Sequence, residues 1–179
     1  MKRGQMELIG LVVIVILVTL GMLFMVQFKM KEDKTKKVFT SKGLAYSTMS
    51  AILKTTVSET DCVSNYRGGS LLSLGKDVLD DCAKNYENAL GGGYSLYQCG
   101  GMHSCAYFSE KTKELLDATL KVWGKQYYFE SKLITYGGPV ETLVQIGTEC
   151  PKGVDVDTSG IFPINSEAGL IENIIYLCN

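Results

Sequence analysis

Histidine is almost absent from this chain: His103 stands alone. One imidazole cannot build a multi-histidine metal centre, and a serine or cysteine nucleophile would have only His103 as its base. There is no Gly-rich phosphate loop and no G-x-S-x-G turn, so the phosphate cradle and the hydrolase elbow are both missing. No two cysteines stand in a C-x-x-C pair, the close ligand spacing that zinc sites use. Three prolines exclude a proline-rich linker. Basic charge is not in excess either. Formal net charge is −1, and from Val38 onward 11 Lys+Arg face 16 Asp+Glu. Phosphate binding needs a clustered basic face, so nucleic acid is not an expected partner. No enzyme is expected, no catalytic residue is assigned, and neither cofactor nor metal is called for.

What the chain does have is apolar. Hydrophobic residues make up 46% of its 179 residues, enough for one domain with a core and an appendage. Residues 8–28 contain no charge, and only Thr19 and Gln27 are clearly polar. As a helix at about 1.5 Å per residue this run spans roughly 30 Å, the hydrocarbon thickness of a bilayer. Its many β-branched residues, Val12 to Ile16 and Val18, weaken a helix in water. In lipid the backbone must satisfy itself, and the helix prevails. The run ends in Phe24-Met25-Val26-Gln27-Phe28-Lys29 with no Ala-x-Ala-like cleavage site, which argues against a removed secretory signal. A plain signal anchor fits, and so does a third identity set by the residues before the run.

Those residues read Lys2-Arg3-Gly4-Gln5-Met6-Glu7. A short basic leader, then Gly, then Gln and a carboxylate before an apolar run, resembles the class III signal of type IV pilin-like proteins, especially archaeal ones. The resemblance covers about the first 28 residues. It implies that a prepilin-type peptidase cuts between Gly4 and Gln5 and leaves the helix on the mature protein. It implies that the helix later packs beside copies of itself, or related pilin-like subunits, in a filament. It also implies that Glu7 meets a neighbouring subunit's terminal amine. The family usually carries this glutamate at the fifth mature position; here Glu7 is third.

Two rules disagree on where the body lies. Lys29, Lys31, Lys34, Lys36, Lys37 and Lys42 follow the run against Lys2 and Arg3 before it, and the positive-inside count favours the cytoplasm. Six cysteines, 62, 82, 99, 105, 150 and 178, all follow the run. An even set without zinc spacing reads as disulfides, which persist in oxidising compartments. The cysteines favour an exterior body, with the lysine-rich stretch near anionic headgroups of the membrane lipid.

The expected organisation is a leader over 1–4, a transmembrane helix over 5–28, an amphipathic extension over 29–58 and an extracytoplasmic α+β domain over 59–179. In the extension Val38, Phe39, Tyr46, Met49, Ile52, Leu53 and Val57 recur at helical spacing. One continuous helix and two helices with a hinge near Lys36 or Gly43 both fit. Residues 61–69 read as a loop. A second helix is expected over 70–90, stopped by Gly91-Gly92-Gly93, with Asp80 and Asp81 on a solvated face. A strand over 94–99 follows. A third helix has Ser109 as N-cap and Leu115, Leu116, Leu120 and Trp123 on its apolar face, and ends at Gly124. Alternation predicts a hairpin of 126–136 and 140–147, with Tyr127, Phe129 and Leu133 on one side and Val140, Thr142, Val144 and Ile146 on one face. Residues 150–160 read as a polar loop and 170–178 as a central strand. The fold class is therefore α+β, an N-terminal transmembrane helix extending toward a disulfide-stapled body with two further helices and a C-terminal antiparallel sheet.

Six cysteines allow fifteen pairings. Sequential pairing is the expectation: Cys62–Cys82, Cys99–Cys105 across Gly100-Gly101, and Cys150–Cys178. Cys99, Met102, His103 and Cys105 also present soft donors suited to Cu(I) or zinc, but oxidation would remove both thiolates, leaving His103 as a solvated loop residue. Asp155 and Asp157 could hold Ca²⁺ only weakly, with too few ligands. Tyr127, Tyr128, Phe129 and Tyr136 suggest a sugar- or peptide-binding face or, more simply, packing across strands. The functional expectation is a non-enzymatic pilin-like surface subunit, membrane-anchored until assembly into a filament and adhesive in that state. The alternative is a single-pass anchored exterior domain that binds a ligand without polymerising.

Overall fold

A computed structural model describes residues 3–57, 62–64, 71–90 and 93–178; within these, side chains of residues 3–9, 28–40, 63, 64, 88 and 90 are not described. The chain forms two compact units, residues 1–40 and 41–179. Helix α1 (Arg3–Lys54) contributes to both, and its helical assignment continues through Lys36 and Gly43. The expected packing of Val38 and Phe39 lies outside the described side chains.

In the first unit the described side chains of the apolar helix, over Gly10–Gln27, are all exposed. Leu11, Ile14, Leu17, Met22 and Phe24 are each more than 60% exposed. The one hydroxyl in this stretch, on Thr19, donates back to the carbonyls of Val15 (3.0 Å) and Ile16 (2.9 Å). The helix therefore meets its own polar demand, as a lipid environment requires.

The second unit begins where α1 acquires a buried face. Ala45, Met49 and Ile52 recur at i, i+4 and i+7 and are at most 2% exposed. Strand β1 (Thr56–Val57) follows. Strand β2 (Cys62–Ser64) comes next, and most of the expected 61–69 loop lies outside the described residues. Strand β3 (Leu72–Ser73) pairs antiparallel with β1. The expected second helix thus starts later, at Leu74. Ser73 caps it by accepting from the Lys76 N–H, while Asp77 accepts from the Ser73 N–H at 2.7 Å. Its first turns, Leu74–Leu79, are π-helical. They continue into α2 (Asp80–Lys84) and, after Asn85, α3 (Tyr86–Leu90). The proposed stop at Gly91-Gly92 lies outside the described residues.

Strand β4 (Tyr97–Cys99) pairs antiparallel with β2. Gly100 and Gly101, at φ +58° and +73°, turn the chain so that Cys99 and Met102 exchange backbone hydrogen bonds. Glycine makes this turn because a side chain is strained at positive φ. Helix α4 (Ser104–Leu116) continues in π form over Asp117–Lys121. It starts six residues before the expected start, capped by His103 rather than Ser109. It ends as expected at Gly124: Gly124 N–H donates to Lys121 O and Lys125 N–H to Leu120 O, the paired bonds of a Schellman cap. Leu116 and Leu120 are fully buried, but Trp123 is 66% exposed and outside the core.

The remainder is one antiparallel sheet of β5 (Gln126–Ile134), β6 (Val140–Gly147), β7 (Val156–Thr158), β8 (Phe162–Ser166) and β9 (Gly169–Cys178). Its order is β6-β5-β9. β7 and β8 share the far edge of β9, opposite Tyr176–Cys178 and Gly169–Asn173 respectively. β9 is central, as its composition predicts. β7 and β8 were not legible: the former lies in the expected polar loop, and the latter, Phe162-Pro163-Ile164-Asn165-Ser166, is five residues long with no polar–apolar alternation.

The inner sheet face buries Tyr127, Phe129, Leu133, Ile171, Ile175 and Leu177, with Phe129 against Phe108 of α4 at 6.1 Å between ring centroids. The alternation expected of β6 is interrupted. Ser131 opposes Val144 while Lys132 opposes Thr142, so Leu143 is an extra residue, a β-bulge. It puts Val140 and Thr142 on the opposite face from Val144 and Ile146, and Val140 is exposed.

Gly75 fixes how closely the second helix approaches α1. A Cβ there would lie 2.7 Å from Leu53 O, backbone on backbone, whereas one at Gly43 would meet nothing within 4 Å. Gly75→Ala should destabilise the oxidised body by about 1–3 kcal/mol. Gly43→Ala should be neutral or stabilise by up to about 1 kcal/mol. Chemical denaturation of the full chain in detergent distinguishes the two.

Candidate functional site

Gly4 and Gln5, the expected processing residues, and Glu7, the expected subunit-docking residue, fall in the first turns of α1, and their side chains lie outside the described set. Beyond them, residues Gly10–Gln27 form a window of 18 residues with mean hydropathy 2.6 and no buried residue, long and apolar enough to cross a membrane. At about 1.5 Å per residue that window is roughly 27 Å long.

The body carries three disulfides: Cys62–Cys99, Cys82–Cys105 and Cys150–Cys178. Sequential pairing is correct for Cys150–Cys178 and wrong for the other four cysteines. The reason is long-range. Cys62 and Cys99 occupy directly opposed positions in the β2–β4 ladder, and α2 packs on the first turn of α4, which brings Cys82 to Cys105. Gly100-Gly101 closes its turn by backbone hydrogen bonds, so no bridge spans it. With all six sulfurs oxidised, no thiolate is available to a soft metal. Among the described residues no cluster of three His, Cys, Asp or Glu side chains could hold an ion.

His103 is a cap rather than a solvated loop residue. Its Nδ1 accepts the Cys105 N–H at 3.2 Å, which places its proton on Nε2, and that atom is buried without a protein hydrogen-bond partner. Asp81 also departs from expectation: it is 2% exposed rather than solvated. Its carboxylate accepts from the Leu96 and Tyr97 N–H groups, each at 3.1 Å, and from Asn85 Nδ2 at 2.7 Å. One buried charge thus ties the segment before β4 to α2, and backbone donors offset its desolvation. Ser95 extends the tie, accepting from the Ser104 N–H and donating to Tyr97 O. Asp80 pairs with Lys84 at 2.9 Å, and Lys84 also reaches Glu167 at 3.2 Å. The hydrogen bond to Asp80, helped by Glu167, raises the Lys84 pKa. Asp155 is exposed while Asp157 is buried on β7, so these two do not share an open face.

The four aromatics proposed as one face are divided. Tyr127 and Phe129 point into the core; Tyr128 lies on the outer face against Tyr176, 5.8 Å between centroids. Tyr136 stands fully exposed at the β5–β6 turn. Tyr127 donates its hydroxyl to Asp117 at 2.7 Å; burial first, then this bond and the nearby charge, raise its pKa.

Two grooves escaped the sequence reading. One, of about 410 Å³, lies between the body end of α1 and the stretch from Leu115 to Trp123, and no charged residue lines it. The other, of about 490 Å³, lies beside Tyr127 and is rimmed by Lys113, Lys121 and Lys125. Each is built from residues more than 60 positions apart or from different elements, and helical spacing alone does not reveal such a juxtaposition. Compared with protein-family models, curated proteins and solved structures, the chain matches none.

Asp81→Ala should remove the carboxylate acceptor of the Leu96 and Tyr97 amides and cost about 2 kcal/mol. Hydrogen exchange should then lose protection at these amides before it does in β5 and β9. Tyr127 gives a pH test. A raised folded-state pKa contributes stability that is present below the tyrosine's ordinary value of about 10 and is lost as pH rises through the folded value. The stability of the wild-type body should therefore fall above about pH 10, and Tyr127→Phe should flatten that fall in denaturation curves taken across this range.

Proposed function

We propose that the protein is a pilin-like surface subunit: an apolar helix holds it in the membrane before assembly, and a disulfide-stapled body forms the exposed part. The observation that carries this reading is one helix that is apolar and uncovered over Gly10–Gln27, preceded by Lys2-Arg3-Gly4-Gln5. A helix apolar on every side needs either lipid or copies of itself around it. A prepilin-type leader is the arrangement that permits both in turn, because the cut removes the charged leader and keeps the helix. Three disulfides in the body favour an oxidising exterior over the cytoplasm. In this reading the body meets neighbouring subunits and adhesion targets, and no catalysis is assigned to it.

The test is mass spectrometry of the N-terminal peptide of protein isolated from its native membrane. The expected mature chain begins at Gln5, and Gly4→Val should leave the leader attached. A chain that begins at Met1 or Lys2 would sink the pilin reading and leave a plainly anchored exterior binding domain.

A further inference from the structure

The junction that defines the leader also sets up a second chemistry. Cleavage after Gly4 makes Gln5 the first residue, and a terminal glutamine carries its own electrophile: the side-chain amide carbon lies within ring-closing reach of the freed α-amine. The surroundings make that amine's positive charge costly. α1 is helical from Arg3 onward, so the new terminus is the positive end of a helix dipole, where a cation is disfavoured. The residues that follow carry one carboxylate, Glu7, and then no charge from 8 to 28. An ammonium there has little to offset its desolvation as the helix enters lipid or a bundle of apolar helices. Glu7 sits at the third mature position, not the fifth, where a carboxylate suits the unpaired N–H groups of its own first turn.

We propose that Gln5, once exposed, cyclises to pyroglutamate, an inference that rests on the cleavage reading above. The α-amine nitrogen attacks Cδ of the same residue. The bond from that nitrogen to Cδ forms, the bond from Cδ to Nε2 breaks, and the former amide nitrogen leaves as ammonia, taking up the proton the α-amine gives up. No oxidant, reductant or co-substrate is consumed. The product is a neutral lactam. The mature helix then starts without a terminal charge.

The experiment labels free amines by reductive methylation on intact cells, before extraction, so that cyclisation during preparation cannot pass for the native state. N-terminal peptides are then read by mass spectrometry. The expected wild-type peptide begins at Gln5, is lighter by one ammonia and carries no label at its α-nitrogen. Gln5→Ala and Gln5→Glu serve as companions: both should be cut at the same bond and carry the label. A wild-type peptide that begins at Gln5 and is labelled would overturn cyclisation while leaving the cut in place. Unlabelled termini in Gln5→Ala and Gln5→Glu would overturn it too, by pointing to a block that does not depend on the glutamine. Peptides beginning at Met1 or Lys2 would overturn the cleavage reading and this inference together.

Discussion

One buried carboxylate ties the segment before β4 to the helices. The five-stranded sheet and the helices that cover its inner face supply most of the apolar core, and β2 and β4 form a separate two-strand ladder beside it. A two-strand ladder alone is marginal in water, and this one, among its described residues, buries little beyond the Cys62–Cys99 pair. Asp81 anchors it: its oxygens take up amide protons from Leu96 and Tyr97 while it rides on α2, itself packed in the core. Cys82, the next residue, bonds to Cys105 at the start of α4. A polar anchor and a covalent one thus act at adjacent positions on one helix, and each limits the freedom the other must overcome.

The two units divide the physical work. The first presents apolar surface to its surroundings and satisfies its polar groups internally, down to the Thr19 hydroxyl. The second hides its apolar surface and relies on cross-links where the core is thin. The composition average, near neutral and moderately hydrophobic, describes neither unit.

What the sequence made legible was whatever is periodic and local. The uncharged run, the β5–β6 hairpin, the central β9 and the glycine end of α4 all follow from spacing or from one residue's conformational needs. What it hid depends on contacts between distant positions. The bulge at Leu143 exchanges the faces of β6, and nothing in Val140-Glu141-Thr142-Leu143-Val144 marks which residue is extra. Asp81 reads as solvent-facing until Leu96 and Tyr97 are seen to donate to it. The leader is different again: Gly4, Gln5 and Glu7 were legible as a resemblance, and their side chains lie outside the described set, so the fold adds only that they belong to a helix.

The cysteine connectivity has a consequence for biogenesis. The first two bridges interleave, because Cys82 lies between Cys62 and Cys99, and Cys99 lies between Cys82 and Cys105. A chain synthesised from its N-terminus presents Cys62 and Cys82 first, and these two are not partners. If they bond on emergence, the native state is reached only by thiol–disulfide exchange, with a later thiolate attacking the early bridge. Cys150 and Cys178 close last and have no such competition from their order. Maturation of the body is thus linked to the isomerase capacity available where its bridges form.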